Sequence, residues 1–205
     1  MNFLRFRNQF FELACFTPDQ VFAWQPDFDR NNFYRWLQKG LLVRLRKGLY
    51  AFPEYAKKPG YQWYFANRMY RPSYISLFSA LAFYGLIPES VVQILSVTSL
   101  KTAGFVNPLG EFYYKTVRED LMFGFEPKAL PDGKYFQIAR PEKALLDLLY
   151  LYPEYNSEEQ MLQLRLDEDF LKQALDKKLL AEYASFFRSK TLQARILRLL
   201  KAYGV

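Results

Sequence analysis

Between Arg30 and Phe52 the chain reads RNNFYRWLQKGLLVRLRKGLYAF, with six Lys or Arg residues and no acid. At about 100° per residue, Phe33, Trp36 and Leu37 share one face of a helix. Asn31, Arg35 and Gln38 then point directly away from that face, with Tyr34 and Lys39 flanking. Asn, Arg and Gln are the side chains able to make paired hydrogen bonds to base edges in a major groove. Beyond Gly40, Val43 and Leu45 alternate with Arg44 and Arg46, and Lys47-Gly48 marks a tight turn. Arg44, Arg46 and Lys47 are suited to phosphate oxygens. The candidate DNA-contacting set is Arg30, Asn31, Tyr34, Arg35, Gln38, Lys39, Arg44, Arg46 and Lys47.

Other chemistry is poorly represented. The chain has no histidine and one cysteine, Cys15. That removes Ser-His and Cys-His nucleophile pairs, His-ligated metals and a zinc ribbon. No GxxxxGK[ST] or GxGxxG loop occurs. The triplet Asp167-Glu168-Asp169 reads as a helix start, where acids favour the positive end of the helix dipole. Pro131-Asp132 followed by Glu142-Lys143 lacks the residue a nuclease pattern needs between Glu and Lys, and Pro141-Glu142 reads as another helix start. The expectation is a non-enzyme with no catalytic residue, no metal and no cofactor.

The elements that would hold the basic segment follow from patterning. FLRFRNQFFELACF has helical spacing, which places Cys15 at the end of a first helix as a buried thiol. Thr17 caps a short second helix, with Pro18 at its first position. Asp29 caps a third helix over residues 30–39, and Gly40 ends it with positive φ. Two strands around Lys47-Gly48 complete helix-helix-helix-hairpin, the order of a winged helix-turn-helix, over residues 1–52. Residues 53–72 form a connector whose YQWYFANRMY is helical and whose aromatics belong to a core.

Residues 73–205 have another character. SYISLFSALAFYGL reads as an apolar helix, capped by Ser73 or Ser76 and stopped by Gly85. VVQILSVTS, FVNPLGEFYYKTV, LMFGFEP and KYFQIA read as strands, with turns at Asn107-Pro108-Gly110 and Pro131-Asp132-Gly133. RPEKALLDLLYLYP, DEDFLKQALDKK and AEYASFFRSKTLQARILRLLKAY read as helices. The expected class is α+β: a winged helix, then an α+β domain with a short, mostly antiparallel sheet and a helical tail.

Charge is divided the same way. Residues 1–72 carry 12 Lys/Arg against 5 Asp/Glu, and residues 73–205 carry 16 of each. The whole net charge of +7 therefore lies in the first third. An anionic partner, nucleic acid above all, accounts for that segregation. No apolar run reaches membrane-spanning length. The N-terminus has Glu12 within its apolar part and no small-residue cleavage site, so no secretory signal is expected, and a cytoplasmic location is.

Three stretches, YISLFSALAFYGLIPE (Tyr74–Glu89), NPLGEFYYKTVREDLMFGFE (Asn107–Glu126) and IARPEKALLDLLYL (Ile138–Leu151), occur in order behind LLVRLRKGLYAF. Together they resemble the AbiEi-type antitoxins of abortive-infection (type IV) toxin–antitoxin systems, over nearly the whole chain. The resemblance implies an N-terminal winged helix that binds repeats in its own promoter and represses it. It also implies a C-terminal domain that counters a nucleotidyltransferase-like toxin, without requiring a stable complex. The chain has no nucleotidyltransferase Gly-Ser loop with a following acidic pair, which fits the antitoxin and not the toxin. Two other readings remain open from sequence. One is a winged-helix regulator whose aromatic C-terminal domain senses a ligand or protein. The other is a nucleic-acid enzyme with converging carboxylates.

Overall fold

A computed structural model describes residues 2–88 and 92–205. Glu89, at the end of one resembling stretch, and Val91, at the start of one expected strand, lie outside them.

The first helix, α1 (Phe3–Phe10), begins where the Asn2 side chain accepts the Leu4 amide, and buries Phe6 and Phe10. The chain then tightens into a 3-10 turn, Phe11–Leu13, and Ala14 adopts φ 62°. The expected helix therefore stops earlier, and Cys15 lies not on it but in strand β1 (Cys15–Phe16). The thiol is buried there. Helix α2 (Pro18–Trp24) starts with a reciprocal cap: Thr17 Oγ1 accepts the Gln20 amide, and Gln20 Oε1 accepts the Thr17 amide. Helix α3 (Asn31–Gln38) ends before Gly40, at φ 66°. Strands β2 (Val43–Arg46) and β3 (Leu49–Ala51) follow, and β1 joins them to give a three-stranded sheet in the order β1-β3-β2. The sequence pattern gave no hint of β1, because two residues are too few to show alternation.

The connector contains two helices, α4 (Pro53–Ala56) and α5 (Tyr61–Met69). Helix α5 is built into the core: Phe65, Ala66 and Met69 are fully buried, and the Tyr114 hydroxyl donates to the Ala66 carbonyl at 2.7 Å.

The second sheet is larger than the short one expected. Its strands are β4 (Ser73–Ile75), β5 (Ile94–Thr98), β6 (Ala103–Asn107), β7 (Gly110–Thr116), β8 (Phe125–Ala129) and β9 (Tyr135–Ala139). The order is β6-β7-β5-β4-β9-β8, and the sheet is mixed, with β5·β7 and β4·β9 parallel and the other pairs antiparallel. Residues 73–75, expected to open an apolar helix, instead form central strand β4. Ser76 then leads into α6 (Leu77–Phe83). A short apolar segment buried on both faces reads the same as a helix or a strand, so only its neighbours decide.

Helix α7 (Pro141–Leu151) packs on α6 and is followed by α8 (Glu158–Leu162), α9 (Lys177–Phe186) and α10 (Lys190–Ala202). The expected tail helix from Ala181 on is broken at Arg188 (φ 50°), and Ser189 caps α10. The segment from Asp167 is helical over residues 168–174, with a wide turn at Phe170–Ala174, and Asp167 Oδ1 accepts the Phe170 amide at 2.7 Å, as a helix start requires.

The fold is thus α+β with two sheets. Its apolar core is continuous, running from Phe6 through Phe52, Tyr55 and Phe65 into Tyr114 and Leu146. No helix among the described residues is long and apolar enough to cross a membrane.

Candidate nucleic-acid interface

Helix α3 is fixed by its inner face. Phe33 and Trp36 are 6% exposed, and the Trp36 ring lies 4.6 Å from Phe6 of α1. Asn32 is buried beside them. Phe33 stacks on Tyr50 of β3, with 5.0 Å between ring centroids and 5° between planes. These contacts decide which residues face out. Asn31, Tyr34, Arg35, Gln38 and Lys39 are all exposed, Tyr34 by 67%.

The hairpin presents its cations through an irregularity. Arg44 pairs with Tyr50 and Arg46 with Leu49, so the register shifts between them and Leu45 is the extra residue. Leu45 is buried, while Arg44, Arg46 and Lys47 are exposed. Its carbonyl accepts the side-chain amide of Asn107 at 3.0 Å, which ties the bulge to the tip of the β6–β7 hairpin. Cross-strand partners share a face. Arg44 therefore leaves the hairpin on the side of Tyr50, the side turned toward α3. Gly48, at φ 77°, makes the turn, a conformation that β-carbon-bearing residues resist.

All nine residues expected from sequence are exposed on these two elements and the turn before α3. Their engagement differs. Asp29 has two tasks: Oδ1 accepts the Asn31 amide at 2.9 Å, and Oδ2 pairs with Arg35 at 3.2 Å. Arg35 also donates to Asn32 Oδ1. Both partners of that ion pair are solvated, so it contributes at most about 1 kcal/mol and is readily exchanged for a stronger acceptor. Arg30 lies over the Phe22 ring at 4.8 Å, and Arg46 donates to the Lys47 carbonyl at 3.3 Å. Among the described residues, the side chains of Gln38, Lys39 and Arg44 have no hydrogen-bond or ion-pair partner. Sequence reasoning recognised Asp29 as a cap and missed its grip on Arg35; an acid six residues before an arginine is the signal. It also missed Tyr50, the ring that joins helix to hairpin.

The acids considered for other chemistry serve structure. Asp132 accepts the Tyr61 hydroxyl and pairs with Lys134. Glu142 accepts the Asp176 amide at 2.9 Å, and Lys143 is buried in an ion pair with Asp147. Pro131-Asp132 and Glu142-Lys143 therefore have separate partners. Among the described residues, no group of three or more Cys, Asp or Glu side chains is placed to hold a metal ion.

No protein-family model matches the chain, and no curated protein matches it.

Proposed function

We propose that the chain is a DNA-binding antitoxin and autorepressor of the AbiEi type. In this reading residues 1–52 form a winged helix-turn-helix, with α3 entering the major groove and the β2–β3 hairpin acting as the wing. One observation carries it: α3 is locked inward by Phe33 and Trp36 and offers Asn31, Arg35 and Gln38 outward, beside a hairpin whose Arg44, Arg46 and Lys47 are exposed. The three helices, with strand β1 pairing beside the hairpin, support the winged-helix assignment. Asn31, Arg35 and Gln38 read bases. Arg30, Lys39, Arg44, Arg46 and Lys47 hold phosphates, and Tyr34 covers the sugar-phosphate edge. The C-terminal domain counters a nucleotidyltransferase-like toxin; that half rests on the ordered stretches that resemble such antitoxins.

The two halves are tested separately. Duplex DNA from upstream of the chain's own reading frame should shift on a gel with the protein, and a shuffled duplex should shift less. Co-expression of the chain with a growth-arresting nucleotidyltransferase-like toxin, sought in the adjacent reading frame, should restore growth. Equal binding to both duplexes would sink the repressor assignment, and continued toxicity would sink the antitoxin assignment.

A further inference from the structure

We infer that the cleft between the C-terminal end of α5 and the β8–β9 edge of the large sheet binds a small phosphate-bearing molecule with a planar ring, of the mononucleotide class. The cleft has a volume of about 460 Å³ and is lined by Asn67, Arg68, Arg71, Phe125, Tyr135 and Gln137 among others, with no acidic side chain. That volume falls within the range of small-ligand sites.

Three features select the ligand. First, Arg68 lies in the last turn of α5 and Arg71 two residues beyond its end, and among the described residues neither has a carboxylate within ion-pair distance. The Arg68 guanidinium lies 4.9 Å from the Tyr64 ring, and Arg71 Nε donates to the Asn67 carbonyl at 3.4 Å. Burial, and then the neighbouring charge of Arg68, push the Arg71 pKa down. Both arginines also line an adjoining cleft beside Thr17 and Leu49, so the pair forms a shared cationic wall. A phosphate dianion neutralises two guanidinium groups and matches their fork geometry.

Second, Asn67 is only 8% exposed, and its Oδ1 accepts the Gln137 amide at 2.5 Å. That bond fixes which end of the side chain is oxygen. Nδ2 is left buried with no acceptor. A buried donor without a partner is rare and calls for one, and a ligand oxygen would supply it. Third, Tyr135 is 55% and Phe125 36% exposed in the same lining. Exposed aromatic rings beside a cationic pair suit a planar base attached to a phosphate.

The inference does not depend on the DNA-binding reading, since none of the α3 or hairpin cations lines this cleft. Calorimetric titration of the full chain with AMP, inorganic phosphate and adenosine tests it. AMP should bind one to one, phosphate more weakly, and adenosine not detectably. Arg68→Gln and Arg71→Gln should each weaken AMP by about tenfold. Tyr135→Ala should weaken AMP and leave phosphate unchanged. Circular dichroism confirms that each variant is folded, and duplex-DNA affinity should be unchanged in all three. No binding of AMP at about 1 mM, or undiminished binding by the double arginine variant, would overturn the proposal. Loss of DNA affinity in the arginine variants without AMP binding to the parent chain would assign the pair to the DNA track instead.

Discussion

The ring of Phe33 on α3 lies flat against the ring of Tyr50 on β3, 5.0 Å away and within 5° of parallel. This stacked pair joins the helix to the hairpin, the two elements that carry the exposed cations. Phe33→Ala removes a buried ring and should destabilise the fold by about 3–5 kcal/mol. Tyr50→Phe keeps the stack and should leave stability within about 0.5 kcal/mol. Urea unfolding of both variants checks this, and a Phe33→Ala chain as stable as the parent would show that other contacts hold α3.

Cys15 offers a pH-dependent readout of the N-terminal core. Burial pushes its thiol up from 9.0 to about 11, against the weaker opposing pull of Arg68 and Arg71. A group with a raised folded-state pKa stabilises fully below its unfolded pKa, and that contribution fades as pH rises. Between pH 9 and 11 the folded state keeps a proton that the unfolded chain loses, so stability falls by up to about 2–3 kcal/mol. Cys15→Ala should flatten this part of the profile, while alkaline losses from buried tyrosines remain common to both proteins. Parallel slopes for parent and variant across pH 9–11 would contradict the burial argument.

The ion pair of Lys143 and Asp147 is fully enclosed. Tyr74 and Ser76 donate to Asp147 at 2.9 and 2.8 Å, so α7 is fastened to β4 and the residue that starts α6. Burial pushes the lysine pKa down, and Asp147 opposes it. Asp147→Leu strands a buried cation and should cost about 3–5 kcal/mol. Adding Lys143→Met should recover part of that loss by removing the unpaired cation, while the buried Tyr74 and Ser76 hydroxyls stay without their acceptor. Thermal denaturation of the single and double variants decides it; a double variant no more stable than the single would show that the stranded Lys143 cation is not the source of the loss.

Because Phe65, Ala66 and Met69 are fully buried and Asn67 and Ala66 bond to β9 and β7, α5 belongs with the large sheet. A fragment of residues 53–205 should therefore unfold cooperatively, at a lower temperature than the full chain because the Leu45–Asn107 bond and the packing of Phe11 on Tyr55 are gone. A fragment of residues 73–205 should lack cooperative unfolding. Calorimetry of both would refute this if the shorter one showed the sharper transition.

The parts legible in the sequence were those with a long enough period or a strong local signal. Thr17-Pro18, Gly40 and Lys47-Gly48 placed the ends of α2, α3 and the hairpin, and the outward face of α3 followed from three apolar residues. Each of these depends on neighbours in sequence. What sequence did not disclose depends on distant partners. Strand β1 exists because Cys15 and Phe16 pair with Ala51 and Tyr50. Strand β4 exists because Ser73–Ile75 pairs on both sides, with β5 and β9. The bulge at Leu45 is secured by Asn107, 62 positions away, which local patterning read only as a turn residue.

The central claim is that α3 and the hairpin hold duplex DNA through base contacts and phosphate contacts respectively. Fluorescence anisotropy of the full chain on its upstream duplex and on a shuffled duplex, across a series of salt concentrations, tests both at once. Arg35→Ala should cost about 1–3 kcal/mol on the upstream duplex and narrow the gap between the two. Arg46→Ala should weaken both alike and reduce the log–log salt slope by nearly one unit, about 0.9 per lost phosphate contact. If Arg35→Ala instead lowers both duplexes equally, or Arg46→Ala leaves the salt slope unchanged, the assignment of helix to bases and hairpin to phosphates is contradicted.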